Sequence, residues 1–194
     1  MIGEDFTWVL DRAKRGDETA FAMLWSDLNP ALLRYLTVTG EPAADVAAET
    51  WVSVVKGLAR FTGNETAWRA WVFTTARRRA VDTGRQRQRR VAHERSWQPW
   101  ATFETDGSDP ADLVIQRLDT DSALALVAQL SPLQAEVVVL RVVVGLPVPE
   151  VARVVGRSSG AVRVAHHRGI VRLRTLLEAR GVTDTGAEAL YRAT

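Results

Sequence analysis

The stretch GLPVPEVARVVGRSSGAVRVAHHRGIVRLRTLL, from Gly145 to Leu177, admits few folds. Apolar residues recur on either side of Gly156 at three- and four-residue spacing, the period of a helix with one buried face, and no strand-like alternation is sustained through it. A short helix that stops at a glycine, a tight turn and a longer helix opening at Ser158 or Ser159 make a helix-turn-helix. Upstream, SPLQAEVVVLRVVVG carries a serine N-cap with proline at the first helical position and an almost wholly apolar run, suited to a buried scaffold helix. Val162, Leu173, Leu176 and Leu177 of the long helix face that scaffold, while Arg163, His167 and Arg174 cluster on another side. A basic face on the second helix of such a pair is what enters a DNA major groove. Arginines on a merely solvated helix would give the same pattern.

The rest of the chain is also helical. Phe6, Val9, Leu10 and Ala13 keep the 3.6 period, and Phe21, Leu24, Trp25, Leu28, Leu32, Leu33 and Leu36 carry it past Pro30. Gly40-Glu41-Pro42 breaks the pattern, and a helix over 43–59 follows with Val46, Trp51, Val54, Val55 and Leu58 as its apolar positions. After FTGNET a further helix begins near Thr66 or Ala67, carrying Trp68, Trp71, Val72, Thr75 and Val81 into a run of arginines. SWQPWATFETDGSDPADL has linker composition, although Trp97, Trp100 and Phe103 argue against an inert spacer. The reading is an all-α chain of two small helical domains joined by a flexible acidic linker: 1–95, linker 96–112, 113–180, and a tail 181–194.

Charge follows the same boundaries. Between Arg77 and Arg95 eight arginines stand against two carboxylates; between Ser96 and Asp121 six carboxylates stand against one arginine; between Glu150 and Arg180 seven arginines stand against two glutamates. Two basic modules thus flank an acidic connector, which could pair with them and hold the free chain compact. At 194 residues and 46% hydrophobic content the chain can bury one large or two small cores. It has no cysteine, which excludes disulfides, thiolate zinc sites and a cysteine nucleophile. The three histidines, His93, His166 and His167, lack metal-ligand spacing, and no glycine-rich phosphate loop follows a strand. Neither an enzyme nor a bound metal or cofactor is expected. The N-terminus MIGEDFTWVLDRAKRGDE has no continuous apolar segment, and no run approaches a bilayer span. A soluble intracellular protein without membrane insertion is expected.

Two segments, EPAADVAAETWVSVVKGLARF and WRAWVFTTARRRAVDTGRQRQRR, resemble the second conserved region of bacterial sigma factors of the extracytoplasmic-function (ECF) group, and the region from Leu130 to Leu176 resembles their fourth. The resemblance runs from about residue 20 to residue 180. It implies a factor that binds the RNA polymerase core through its β′ and β subunits, recognises two promoter DNA elements and helps open the duplex. An anti-sigma factor is a further partner the resemblance admits.

By the same resemblance, Asp45, Glu49 and Trp51 match the positions that dock a β′ coiled coil, although Trp51 also fits a core position. Asn64, in FTGNET, matches the loop that captures an unstacked base of the minus-ten element; without the resemblance it is an ordinary turn. Trp71 matches a structural tryptophan, which leaves Trp68 as the stacking candidate, with Arg77, Arg78, Arg79 and Arg85 on the phosphates of the displaced strand. Ser158, Ser159, Arg163, His167 and Arg168 fall on the minus-thirty-five helix. The chain departs from the family pattern at Arg78, where asparagine is usual, at Ala48 for glutamine, at Ala165 for a common arginine, and at Gly84, expected to interrupt a helix that normally runs on. His166 replaces a leucine on the scaffold side and is expected to be a satisfied, partly buried side chain. The alternative reading is a one-component helix-turn-helix regulator with a sensor domain in 1–95.

Overall fold

The computed structural model describes residues 1–95 and 122–179, with side chains to residue 90 and from residue 122. The expectations for the connector, for Trp97, Trp100 and Phe103, and for the tail lie outside the described residues. The described chain is helical, with no strand. Helix α1 spans Phe6–Lys14, α2 Glu18–Thr39, α3 Ala43–Leu58 and α4 Glu65–Arg95; α5 covers 122–127, α6 Pro132–Val138 with a π-helical turn Val139–Val143, α7 Val148–Val155 and α8 Ser159–Ala179.

The boundaries follow local chemistry. Asp17 caps α2, its Oδ1 accepting the Ala20 amide at 3.0 Å, and Arg12 donates to the same carboxylate at 2.6 Å. The backbone bond from Ala20 chiefly holds the Asp17 carboxyl below its ordinary value, against the opposing effect of desolvation and with help from the Arg12 guanidinium. Pro30 sits inside α2 at an exposed position, and the helix continues to Gly40, whose φ of 77° closes it in the left-handed conformation. Ser131 precedes Pro132 at the start of α6, and Gln134 reaches back to accept the Ser131 amide.

Most of the apolar positions read from the periodicity lie in the core, but Trp25, Val55 and Val81 are exposed. Phe6, Val9, Leu10 and Ala13 are all buried. Leu24, Leu28, Leu32 and Leu36, spaced by four, line one side of α2 with no exposed surface, each worth about 1.5–3 kcal/mol of transfer free energy. Helices α1, α3 and α4 pack around α2, and α6, α7 and α8 pack on one another. The two groups also meet: α7 lies against α4 and α6 against α2, so one continuous cluster of buried side chains joins residues such as Val72 and Phe73 to Leu140, Val151 and Val162.

Gly84 does not interrupt α4, contrary to expectation. The helix passes through it unbroken, and the missing Cβ leaves room for Glu41, whose Oε1 would lie 2.7 Å from a methyl at this position. Among the described residues no helix is long and apolar enough to cross a membrane.

Candidate nucleic-acid and polymerase interfaces

On α3 the side chains at 45, 49, 52 and 56 fall within one narrow stripe of the helix. All four, Asp45, Glu49, Val52 and Lys56, are exposed. The stripe therefore mixes two carboxylates, an apolar contact and a cation, and neither Val52 nor Lys56 was singled out by sequence reasoning. Trp51 points the other way. It is buried, its Nε1–H donates to Asn29 Oδ1 at 2.9 Å, and its ring meets Phe21 edge-on at 6.1 Å. Trp51 is thus a core residue that fixes α3 on α2 rather than part of the exposed stripe.

The α3–α4 loop ends in Asn64, whose Oδ1 accepts the Ala67 amide at 2.9 Å while its backbone carbonyl accepts that of Trp68. Asn64 is therefore the N-cap of α4. One lone pair of its Oδ1 is committed to the helix, and its side-chain NH2 makes no hydrogen bond among the described residues.

The two tryptophans of α4 are buried in the reverse of the expected order. Trp68 is 1% exposed, packed edge-on against Phe61 at 5.5 Å, and so offers no free face for a base. Trp71 is half-buried, stacks on Phe61 at 5.1 Å with 21° between planes, and lies against Gly57, where a Cβ would come within 2.7 Å of its ring. The accessible aromatic surface beside the Asn64 loop is therefore Phe61 with Trp71.

Of the arginines, Arg78, Arg79 and Arg85 are exposed, and Arg79 is steadied against α3 by Ser53 Oγ at 2.8 Å. Arg77 is half-buried and pairs instead with Glu136 at 2.7 Å. Arg69, which sequence reasoning passed over, is buried and joins Asp27 at 2.8 Å, Glu65 at 3.1 Å and the Val144 carbonyl at 3.1 Å. Its position among WRAW, between two tryptophans, was the available signal.

In the helix-turn-helix, α7 closes at Gly156 with φ 65°, and Ser158 caps α8, its Oγ accepting the Ala161 amide at 3.2 Å. Ser159 begins α8 half-buried, and Arg163, His167 and Arg168 are exposed. Val164, half exposed between them, adds an apolar contact of the kind that meets a thymine methyl. Ala165 is buried on the scaffold side, as are Val162 and Leu173. His166 is buried too, but its Nε2 finds no protein partner, which corrects the expectation of a satisfied histidine. Burial first, then Arg141 and His167, lower its pKa from 6.5. Gly169 brings α8 against α6, a Cβ there falling 2.8 Å from Val138 Cγ2.

A capped helix-turn-helix with Arg163 and His167 outward, joined to a second helical module with its own arginine-rich helix, defines a DNA-binding protein of two modules. The family pattern described as Sigma-70 region 2 matches residues 30–90, and that described as Sigma-70, region 4 matches residues 120–173. The chain is 32% identical over 179 residues to the ECF RNA polymerase sigma factor ShbA of Streptomyces griseus, covering 88% of this chain and 94% of that one. It is 30% identical over 172 residues to the ECF RNA polymerase sigma factor BldN of Streptomyces coelicolor, covering 87% of this chain and 64% of BldN. Its fold is similar, at a TM-score of 0.61 and 22% identity over 81% of this chain and 96% of the other, to the sigma factor RpoE of Bartonella quintana, solved in complex with the anti-sigma factor NepR. The chain belongs to the ECF group of the sigma-70 family of RNA polymerase sigma factors.

Proposed function

We propose that this sigma factor docks on core RNA polymerase through the Asp45–Glu49–Val52–Lys56 stripe of α3 and directs it to promoters by reading two DNA elements. The minus-thirty-five element is read by α8, with Arg163 and His167 on base edges, Val164 on thymine methyls, and Ser158, Ser159 and Arg168 near the phosphates. The minus-ten element is read by the Asn64 loop, through the Asn64 NH2 and the Phe61–Trp71 surface, with Arg78, Arg79 and Arg85 following the displaced strand. Arg77 joins them once released from Glu136. The protein acts in the cytoplasm, needs no cofactor of its own, and leaves catalysis to the polymerase. The β and β′ subunits are its partners there, and the likeness to RpoE supports an anti-sigma factor as another.

The observation that carries this reading is the order of the two matched regions, each coinciding with a module that exposes arginines on a helix. Co-elution with purified core enzyme, followed by mapping of transcript starts after induced expression, tests it. Free protein that shifts duplex DNA but never associates with core would refute it.

A further inference from the structure

Polar links join the two modules at Arg69, which donates to the Val144 carbonyl, and at Glu136, on α6, which carries the charge on its own module. Its Oε1 accepts Tyr35 O–H at 2.6 Å and Arg77 Nε at 2.7 Å, partners 101 and 59 residues away in sequence, and its side chain is 13% exposed. Tyr35 is wholly buried under Phe73, ring centroids 5.3 Å apart. Burial, and then the charge of Glu136, hold its phenol well above the ordinary value of 10.0, so it remains a donor. Two donors, one of them cationic, thus converge on one carboxylate oxygen at the junction where α6 meets α2. A guanidinium binds carboxylate and phosphate through the same N–H groups, and Glu136 takes the Nε–H of Arg77.

The closed arrangement also conflicts with reading two elements at once. Sites near minus ten and minus thirty-five lie about 85 Å apart along a duplex rising 3.4 Å per base pair, whereas a compact chain of about 150 residues is only about 40 Å across. We propose that Glu136 is an internal phosphate mimic: it latches the helix-turn-helix module onto α2 and α4 in the free protein, withholds Arg77 from DNA, and must be released for promoter engagement. The proposal rests on the sigma-factor reading for the meaning of release, but the latch itself can be measured without polymerase.

The chain lacks cysteine, so Arg60→Cys and Arg172→Cys, both at exposed positions, place a fluorescent pair with one dye on each module. The free protein should show high energy transfer that falls when core polymerase binds. Binding to a labelled, mixed-sequence single strand of roughly 20 nucleotides, without polymerase, reads the open fraction, because apparent affinity scales with the competent population. Glu136→Gln keeps the shape and removes the charge. Loss of charge-assisted hydrogen bonds should raise the open fraction, and the single-strand affinity with it, about tenfold.

Glu178→Gln, exposed on α8, removes the same charge away from the junction and controls for general electrostatics. Equal affinity gains in the two variants, or transfer that does not fall when core binds, would overturn the latch. Should Glu136→Gln melt below the assay temperature, Tyr35→Phe decides: a smaller gain in the same direction supports the latch, and no gain overturns it. Failure of the unlabelled wild type to support transcription with core would instead count against the sigma-factor reading, while the dye distance in the free, labelled protein still reports on the latch.

Discussion

Gly169 and Gly160 lie on the same helix and should respond to the same substitution with opposite signs. At Gly160 a new methyl would meet only Ser158 Oγ, 3.9 Å away, so Gly160→Ala gains helix propensity without a clash. The gain is up to about 1 kcal/mol, less in a first turn than in a helix interior. At Gly169 the methyl would stand 2.8 Å from Val138 Cγ2, with Gln134 Cβ at 3.5 Å and the Gln134 carbonyl at 3.6 Å behind it. Val138 is β-branched on a helix and stiff at χ1, so it cannot swing aside, and α8 must move away from α6.

Overpacking of this kind costs about 1–3 kcal/mol, against which the same propensity gain of about 1 kcal/mol is set. The expected net for Gly169→Ala is a loss of up to about 2 kcal/mol, or a fall in thermal midpoint of several degrees at roughly 2–4 °C per kcal/mol. Because α8 carries Arg163 and His167, the shift should also weaken binding to a minus-thirty-five duplex, measured by fluorescence anisotropy. Thermal melts of both variants with that titration make the test. A midpoint for Gly169→Ala that rises as much as that of Gly160→Ala would refute the reasoning, since it would mean that α6 and α8 do not approach as closely as Gly169 permits.

Three further outcomes are expected. Glu49→Lys reverses the charge at the centre of the exposed α3 stripe and should abolish co-elution with core polymerase while leaving the circular-dichroism spectrum and melting midpoint nearly unchanged; a large fall in midpoint would make the stripe structural. Arg163→Ala should cost about 1–3 kcal/mol of minus-thirty-five binding and relax preference at particular bases, whereas equal loss on every sequence would reduce Arg163 to a phosphate contact. His166 has a folded pKa below its ordinary 6.5, so the unfolded chain takes up the proton first and stability falls as pH drops below 6.5. His166→Leu should flatten the melting midpoint between pH 7 and about pH 5, a window clear of Asp17, which titrates below 3.8. An unchanged pH profile in His166→Leu would place the sensitivity elsewhere.

Much of the fold was legible because its signals are local. The period of α1 and α2, the glycine stop at Gly156, the serine caps at Ser131 and Ser158, and the outward turn of Arg163 and His167 depend on residues within about four positions of one another, the reach of a helical hydrogen bond. A single sequence displays such relations directly. Only the tertiary structure decided the rest. Trp68 and Trp71 sit three apart, on overlapping faces of α4, and either could have been core; Phe61 and the open side of Gly57 determined which was covered. Trp51 is buried with its Nε1–H on Asn29 of a different helix, and at Gly84, through which α4 runs unbroken, Glu41 occupies the space a side chain would need.

Arg77 shows the limit most clearly. In sequence it is one of a run of arginines alike in type and spacing, and it differs from its neighbours because Glu136, itself held by the Tyr35 hydroxyl, reaches it from a helix far along the chain. Periodicity reports which face of a helix seeks burial; it carries no record of which distant helix will supply the partner, and that choice is made when the modules pack.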